Sequence, residues 1–200
     1  MEIFLCIILM LKCGKDEVKS IAVSQKGGHI VYMNYYREVK EEKINPDQAL
    51  EIGKKFLEEK GYPNMKETYY MMQSGNIVIN YAYMQDDVTV YSDLIKLKIA
   101  LDNGEILGME LAGYLNCHEE RNIDKEIISK EKAKENLNKE IEIMSEGLAI
   151  IPTEFLTEIL CWEFKGKVDD NEFIVYINAK NGEEEDILMI INTPNGTLTT

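Results

Sequence analysis

The sequence predicts an α+β protein in which small units, each a helix packed on an antiparallel β-sheet, follow one another along the chain. A glycine turn between two apolar strands occurs three times, with Gly28, Gly104 and Gly182 lying 76 and 78 residues apart. Two of these turns contain Asn-Gly, which accepts the positive φ angles of tight hairpins. Strands also follow strands instead of alternating with helices, which is typical of α+β folds. Such a spacing indicates tandem modules and not one enzyme core around a single cleft.

The first residues carry no clear structural signal. The apolar run from Ile3 to Leu11 is nine residues long, whereas a membrane-spanning helix needs about 20. Glu2 stands where a secretory signal would have a basic residue, and no small-residue cleavage site follows. Cys13 resembles a lipid-attachment cysteine only weakly, because Lys12 precedes it. Residues 1–17 are therefore expected to be an irregular or truncated start, with a weak membrane anchor as the alternative.

The first glycine turn, Lys26–His29, joins two predicted strands at 18–24 and 29–36. No helix signal precedes these strands. An isolated hairpin is marginally stable in water and needs a neighbour to cover it. Residues 18–43 are therefore predicted to be a partial unit that keeps only its closing hairpin.

Residues 44–117 are predicted to be a complete unit, because they open with clear helix signals. Asn45 is a good N-cap, Pro46 suits the first helical position, and Gln48 can close a capping box. Gly61 is expected to stop the helix. The strands expected after the helix are 67–73, 77–84, a short 88–91, 94–101 and 105–115, with the second glycine turn before the last one.

A charged linker at 118–128 is predicted before the last unit, 129–200. Ser129 is expected to cap a helix in which Ala133, Leu137 and Ile141 share one face. The strands expected after this helix are 142–151, 157–164, 172–179 and 185–191, with the third glycine turn before the last one. The order of elements is the same as in the preceding unit.

The charge of the chain limits its partners. Twenty-two basic and 36 acidic side chains leave a net charge of −14. Such a surface repels phosphate backbones and anionic lipids, so we expect no nucleic-acid binding and no membrane contact through residues 18–200. Ordinary solvated acidic faces are the simplest interpretation, and a cationic partner or loosely held divalent ions are the alternative.

No motif for nucleophilic catalysis is present, and no catalytic residue is assigned. The chain has two histidines, His29 in a hairpin turn and His118 in the linker, and neither stands in a nucleophile motif. A glycosidase needs only two carboxylates about 5–9 Å apart, so an acidic chain always offers weak candidates. Here they are Glu154, Glu163, Asp169 and Asp170, for which a solvated surface position is the expectation.

No metal or cofactor is assigned either. The acidic loops 169–172 and 183–186 could gather calcium if they were adjacent, but neither has an EF-hand layout. Charged hairpin loops at a soluble strand edge are the favoured interpretation. Cys117 and His118 could be two metal ligands, although nothing nearby completes a set. Cys161 lies in an apolar strand, where a thiol fills space.

A group of tyrosines falls on the predicted strands of the complete unit. On a sheet face, tyrosine is usually part of the core with its hydroxyl in water. It is also a residue that anchors protein interfaces. A core role is expected first and an interface second for Tyr69, Tyr70, Tyr81, Tyr83 and Tyr91.

Several strings of the sequence resemble a known family, the YpeB-type spore germination proteins. They are Lys26-Gly-Gly-His-Ile-Val-Tyr-Met33 followed by Arg37-Glu-Val39, Tyr91-Ser-Asp-Leu-Ile-Lys-Leu-Lys-Ile-Ala-Leu-Asp-Asn-Gly-Glu105, Ile151-Pro-Thr-Glu154, Leu160-Cys-Trp-Glu-Phe164 and Thr193-Pro-Asn-Gly-Thr-Leu198. The resemblance runs in order over about residues 20–200. It implies that the repeats are PepSY domains, two complete and one partial.

The resemblance also implies a non-enzymatic function. Family members accompany the spore cortex-lytic enzyme SleB, and their PepSY region is thought to hold this peptidoglycan hydrolase inactive until germination. The implied location is the spore envelope, outside the inner spore membrane. Members normally carry an N-terminal membrane anchor and a helical domain, neither of which is recognised in this sequence. The alternatives are a carboxylate-based peptidoglycan hydrolase and an envelope PepSY protein unrelated to sporulation.

Overall fold

The computed structural model describes residues 6–12, 18–155 and 157–199. Contacts divide the chain into two compact units, the first comprising residues up to Ala82 with Asp93–His118, and the second Tyr83–Ser92 with Glu119–Thr200. Both units combine a helix with a largely antiparallel sheet. The α+β class predicted from the glycine turns and the strand succession is therefore confirmed.

The first unit contains a seven-stranded sheet and two helices. Its strands are β1 (Cys6–Lys12), β2 (Val18–Ser24), β3 (Ile30–Tyr36), β4 (Met65–Gln73), β5 (Asn76–Gln85), β6 (Val88–Ala100) and β7 (Ile106–Glu110), and its helices are α1 (Pro46–Glu59) and α2 (Ala112–Cys117). The strand order is β1-β2-β3-β7-β6-β5-β4. The tip of the β5–β6 hairpin, residues 83–92, belongs to the second unit.

Helix α1 begins and ends as its sequence predicts. The Asn45 side chain accepts a hydrogen bond from the Gln48 amide (2.9 Å), and the Gln48 side chain accepts one from the Asn45 amide (3.1 Å). Two amides that would lack partners at a helix start are thereby satisfied. Ala49 and Leu57 are fully buried on the face that covers the sheet, so the helix is held mainly by packing.

The second unit contains a short helix and five strands. They are α3 (Lys130–Lys134), β8 (Glu142–Pro152), β9 (Glu158–Val168), β10 (Asn171–Asn178), β11 (Glu184–Thr193) and β12 (Gly196–Thr199). The strand order is β12-β11-β10-β9-β8, and residues 88–90 add to β8 in parallel. Its core is the cluster Ala133, Leu137, Phe164, Val175 and Ile177.

Backbone hydrogen bonds show that the repeat is real. The amides of Ser24, Ala100 and Asn178 each donate across their glycine turn to the carbonyl of the fifth residue on, at 2.9, 2.9 and 2.7 Å. The closing glycines Gly28, Gly104 and Gly182 all have positive φ, at 67, 77 and 82°, which costs glycine little. Each hairpin also carries a register shift at the equivalent point of the strand before its turn.

Two predicted strands of the first unit differ from the structure. The expected short strand 88–91 and the strand 94–101 are one continuous strand, β6. The strand expected over 105–115 ends at Glu110, and the chain turns into α2. Tyr114 explains the turn, because its ring packs edge-on against Tyr62 and stacks on His118.

The N-terminal predictions were incomplete. Residues 6–12, expected to be irregular, form β1 and pair with β2 in antiparallel register, because an apolar edge finds backbone partners in its neighbour. The predicted closing hairpin, β2 and β3, therefore has a third strand, β1, beside it. Cys13, the weak lipid-attachment candidate, lies outside the described residues.

The helix after Ser129 is shorter than predicted. Ser129 caps it as expected, but α3 ends at Lys134, and the amides of Asn136 and Leu137 donate to carbonyls three residues back instead of four. Asn136 donates to the Gly182 carbonyl (2.8 Å), and Asn138 accepts from the Glu140 amide (3.0 Å). Strand β12 was not predicted.

From Glu119 onward, the predicted linker is part of the second unit. Arg121 is nearly buried and pairs with Glu158 at 2.7 Å, and its amide donates to the Gln85 side chain (3.0 Å). Ile123 packs on a second apolar cluster with Val88 and Ile150. The segment is therefore packed at Arg121 and Ile123, whereas residues 124–126 are exposed. The bounds of the individual PepSY units remain a prediction.

Within the described ranges, no helix has the length and apolar character that crossing a membrane requires.

Candidate functional site

The four carboxylates considered for catalysis do not come together. Glu163 lies in the middle of β9, whereas Asp169 and Asp170 form the turn at its end and Glu154 lies in the turn before it. Glu163 and Asp169 are six positions apart along an extended strand, a span of about 20 Å. A glycosidase pair needs about 5–9 Å. This set therefore contains no catalytic pair that includes Glu163.

Glu163 has a structural partner on each side. One of its oxygens accepts hydrogen bonds from the Tyr91 hydroxyl (2.7 Å) and the Tyr176 hydroxyl (3.0 Å). The two tyrosine rings meet edge-on at 6.2 Å. This arrangement satisfies polar groups on the sheet, and it accounts for Glu163 without a reaction.

The two acidic loops considered for calcium lie at opposite ends of β10. Asp169 and Asp170 precede this strand, and residues 183–186 follow it. Eight strand residues span about 25 Å, so the loops cannot share one ion. Among the described residues, no group of three or more histidine, cysteine or acidic side chains is placed to hold a metal.

His118 takes part in the structure of the first unit. Its Nδ1 lies 2.7 Å from a carboxylate oxygen of Asp93, whose side chain is completely buried. Its ring stacks on Tyr114 at 4.1 Å. A buried carboxylate needs such a partner. Of the Cys117–His118 pair considered as metal ligands, His118 is therefore accounted for by its contacts with Asp93 and Tyr114.

Four of the five selected tyrosines are half-buried, and the fifth is in the core. Tyr81 is fully buried, and its hydroxyl donates to the Leu50 carbonyl of α1 (2.9 Å). Burial raises the pKa of the Tyr81 hydroxyl. The expected core role is confirmed for Tyr81, and Tyr91 belongs to the Glu163 network described above.

Cys161 is fully buried, and burial raises the pKa of its thiol to about 12. We therefore expect a disulfide reagent at pH 8 to modify the exposed Cys117 while Cys161 reacts only after unfolding, because the thiolate is the reactive form. Mass spectrometry of the labelled peptides, with and without urea, measures this difference. Labelling of Cys161 in the folded chain at the rate of Cys117 would contradict it.

An exposed apolar row on β11 is the candidate functional surface. Ile187, Met189 and Ile191, here called the β11 row, are 47%, 42% and 39% exposed. Ile187 pairs with Val175 and Met189 with Phe173, so the row continues the face that α3 covers. Helix α3 has only five residues. The β11 row therefore lies beside the buried core of the second unit, but helix α3 does not cover it.

The first unit shows what covers the equivalent position there. Met109 of β7 stands 78 residues before Ile187, as Gly104 stands before Gly182. Met109 is 6% exposed because it lies between Leu97 and Met33 of β3. In the second unit, β12 pairs only with residues 190–193 of β11. Within the described chain, residues 184–189 have no strand neighbour on the side away from β10.

The sequence prediction missed this surface. The segment 187–191 is apolar at every position, which is the pattern of a strand buried on both faces. The length of helix α3 and the pairing of the β11 edge decide which face of β11 stays exposed. The contrast between Met33 beside Met109 and the lack of a counterpart beside Ile187 is visible only in the folded chain.

Comparisons with known proteins agree with this repeated architecture. The family model described as YpeB sporulation, PepSY1 and PepSY2 domains matches residues 8–124. The model described as peptidase propeptide and YPEB domain, PepSY, matches residues 127–188.

The same family supplies the relatives. Sporulation protein YpeB of Halalkalibacterium halodurans is 34% identical over 165 residues, which are 82% of this chain and 37% of that protein. The Bacillus subtilis YpeB is 34% identical over 174 residues, or 85% of this chain and 38% of that protein. The solved Bacillus megaterium YpeB C-terminal domain has a TM-score of 0.79 and 28% identity, covering 94% of this chain and 91% of that one. The chain thus spans somewhat over a third of the length of these curated relatives, and it belongs to the YpeB family of sporulation proteins, with PepSY domains as its repeats.

Proposed function

We propose that this chain is a non-enzymatic binding module that stabilises and restrains a spore cortex-lytic peptidoglycan hydrolase of the SleB type until germination. Its membership in a family of sporulation proteins carries the proposal and speaks against a function unrelated to sporulation. The proposed location is the spore envelope, outside the inner spore membrane.

The surface of the second unit supports a binding function. The β11 row is apolar, exposed and continuous with a core, and exposed apolar patches rimmed by polar residues are typical of protein-binding sites. The acidic residues 183–186 lie directly beside it. The net charge of −14 favours a basic partner. Sheet faces and edges that dock on the hydrolase would block its cleft.

Co-purification with the hydrolase and a cortex-hydrolysis assay test the proposal. We expect the folded chain to bind the hydrolase and to slow the release of cortex fragments in proportion to the bound fraction. Absence of both binding and inhibition by the folded chain would refute the proposal.

The pure chain incubated with cortex fragments tests the non-enzymatic part separately. We expect no release of fragments. Turnover that the variant E163Q or E154Q abolishes would show instead a carboxylate-based hydrolase.

A further inference from the structure

We propose that the open edge of β11, residues 184–189, binds an extended strand of a partner protein in antiparallel register, with an arginine of that strand meeting Glu183 and Asn181. The inference deepens the proposed function, on which it rests for the identity of the partner. The chain itself contains the template for this contact, because β3 binds the equivalent edge of β7 in the first unit.

The template pairs apolar side chains across the edge. Met33 of β3 stands opposite Met109 of β7, and Met109 stands opposite Leu97 of the core. In the second unit, Ile187 and Val175 occupy the positions of Met109 and Leu97. The third position, which Met33 takes in the first unit, is not filled by any strand of the described chain. A strand at that place would cover Ile187 as β3 covers Met109.

The template also has an electrostatic part. Arg37 follows β3 by one residue and binds the second glycine turn, with its Nε 2.9 Å from Glu105 and its Nη2 2.9 Å from the Asn103 side chain. Arg37 makes a further bidentate contact with Asp102, at 2.7 and 2.8 Å. A guanidinium suits such planar groups of acceptors.

The third glycine turn has the same two acceptor residues, and in place of a guanidinium the Asn181 amide donates to the Glu183 carboxylate at 2.8 Å. Asn103 accepts from the Glu105 amide at 2.9 Å, and Asn181 accepts from the Glu183 amide at 2.9 Å. Lys180 replaces the third acceptor, and its ammonium lies 3.9 Å from Asp124.

The charge of the edge decides between a partner strand and a second copy of β11. If a second copy paired here with its Ile187 in the place of Met33, its residue 191 would take the place of Arg37. Residue 191 is an isoleucine, so a second copy brings no cation to Glu183. The Asp186 carboxylate accepts from the Ile187 amide (2.8 Å), and an acidic side chain at a strand edge discourages pairing with an equally acidic one. A strand that carries arginine or lysine neutralises this edge.

The probe is a peptide with the sequence of residues 30–38, added to the full chain. We expect hydrogen exchange to slow at residues 184–189. The variant I187K is expected to weaken peptide binding about tenfold or more, because anchor positions carry most of the affinity. M144K is the matched control, since Met144 is an exposed apolar side chain (61%, against 47% for Ile187) of the same unit on β8, and it is expected to leave binding unchanged.

A double-mutant cycle tests the arginine contact. E183Q is expected to weaken binding of the natural peptide and to have little effect on a peptide in which its arginine is glutamine. An unprotected edge, or equal binding to wild type, I187K and M144K, would overturn the proposal. A wild-type dimer that I187K dissociates would also overturn it, in favour of a second copy.

The hydrolase then separates this inference from the proposed function. Hydrolase binding that is equal for wild type and I187K would remove the β11 edge as the docking site while the function stands. If the hydrolase does not bind wild type, the proposed function fails, and the peptide experiments alone decide whether the edge accepts a basic strand.

Discussion

Replacing Gly53 by alanine is expected to destabilise the first unit by about 2–3 kcal/mol, in the upper part of the range of about 1–3 kcal/mol that is typical of overpacked core sites. A Cβ at Gly53 would lie 2.2 Å from the Tyr81 hydroxyl and 2.9 Å from its Cζ. Tyr81 cannot move away, because it is fully buried and its hydroxyl is bonded to the Leu50 carbonyl. The gain in helix propensity from glycine to alanine is only about 1 kcal/mol, so the clash dominates.

Urea unfolding followed by circular dichroism measures this loss. A double-mutant cycle with Y81F tests its cause, since removing the hydroxyl removes the shortest contact. Alone, Y81F should cost about 1 kcal/mol for the lost hydrogen bond, and G53A should cost clearly less in its presence. G147A is the control, because nothing lies within 4 Å of a Cβ at Gly147. Equal effects of G53A and G147A would contradict the proposed steric cause.

Replacing Arg37 by methionine is expected to cost about 2 kcal/mol near neutral pH, because charge-assisted hydrogen bonds to three side chains are lost together. The Arg37 side chain is 16% exposed and that of Asp102 is 24% exposed, so solvent screens this group only in part. The variant leaves the acceptors of the second glycine turn without their cation, and β3 loses its attachment to the turn.

The loss depends on pH in a defined direction. Hydrogen bonds from Arg37 hold the pKa of Asp102 below its usual value. A carboxyl group with a lowered pKa contributes stability that is complete above its unfolded pKa and is lost as the pH falls through its folded pKa. The difference between wild type and R37M should therefore shrink below about pH 4, close to the usual pKa of aspartate.

Unfolding free energies between pH 2 and 7 measure this trend. K96M is the control, because the Lys96–Glu110 pair is about half exposed and such pairs contribute only about 0–1 kcal/mol. A constant difference between wild type and R37M across this pH range would show that the packing of the Arg37 side chain matters and its charge does not.

Local signals in the sequence were sufficient for much of the fold. Asn45, Pro46 and Gln48 predicted the start of α1, because caps act within one turn. The three glycine turns predicted the hairpins and the repeat, since positive φ is a property of a few residues. The predicted strand 18–24 has the bounds of β2. These features depend on residues within about five positions of one another.

Features that depend on distant residues were predicted poorly. The strand expected through 115 became α2 because Tyr114 packs against Tyr62, about fifty positions earlier. The helix after Ser129 ends at Lys134, just before Asn136 donates to the distant Gly182 carbonyl. The predicted linker is packed because Arg121 pairs with Glu158. In each case a tertiary contact outweighed a local preference.

By itself, the sequence determined the α+β class, the repeat, the acidic character and the resemblance to YpeB, because turn chemistry, periodicity, charge and motif strings are properties of residues in order. Only the tertiary structure decided which carboxylates have partners and which strand edge is open. Glu163 lies between two tyrosines, and within the described residues the segment 184–189 of β11 has no strand in the place that β3 takes beside β7. Burial and pairing are decided by residues that are distant along the chain and adjacent only after folding.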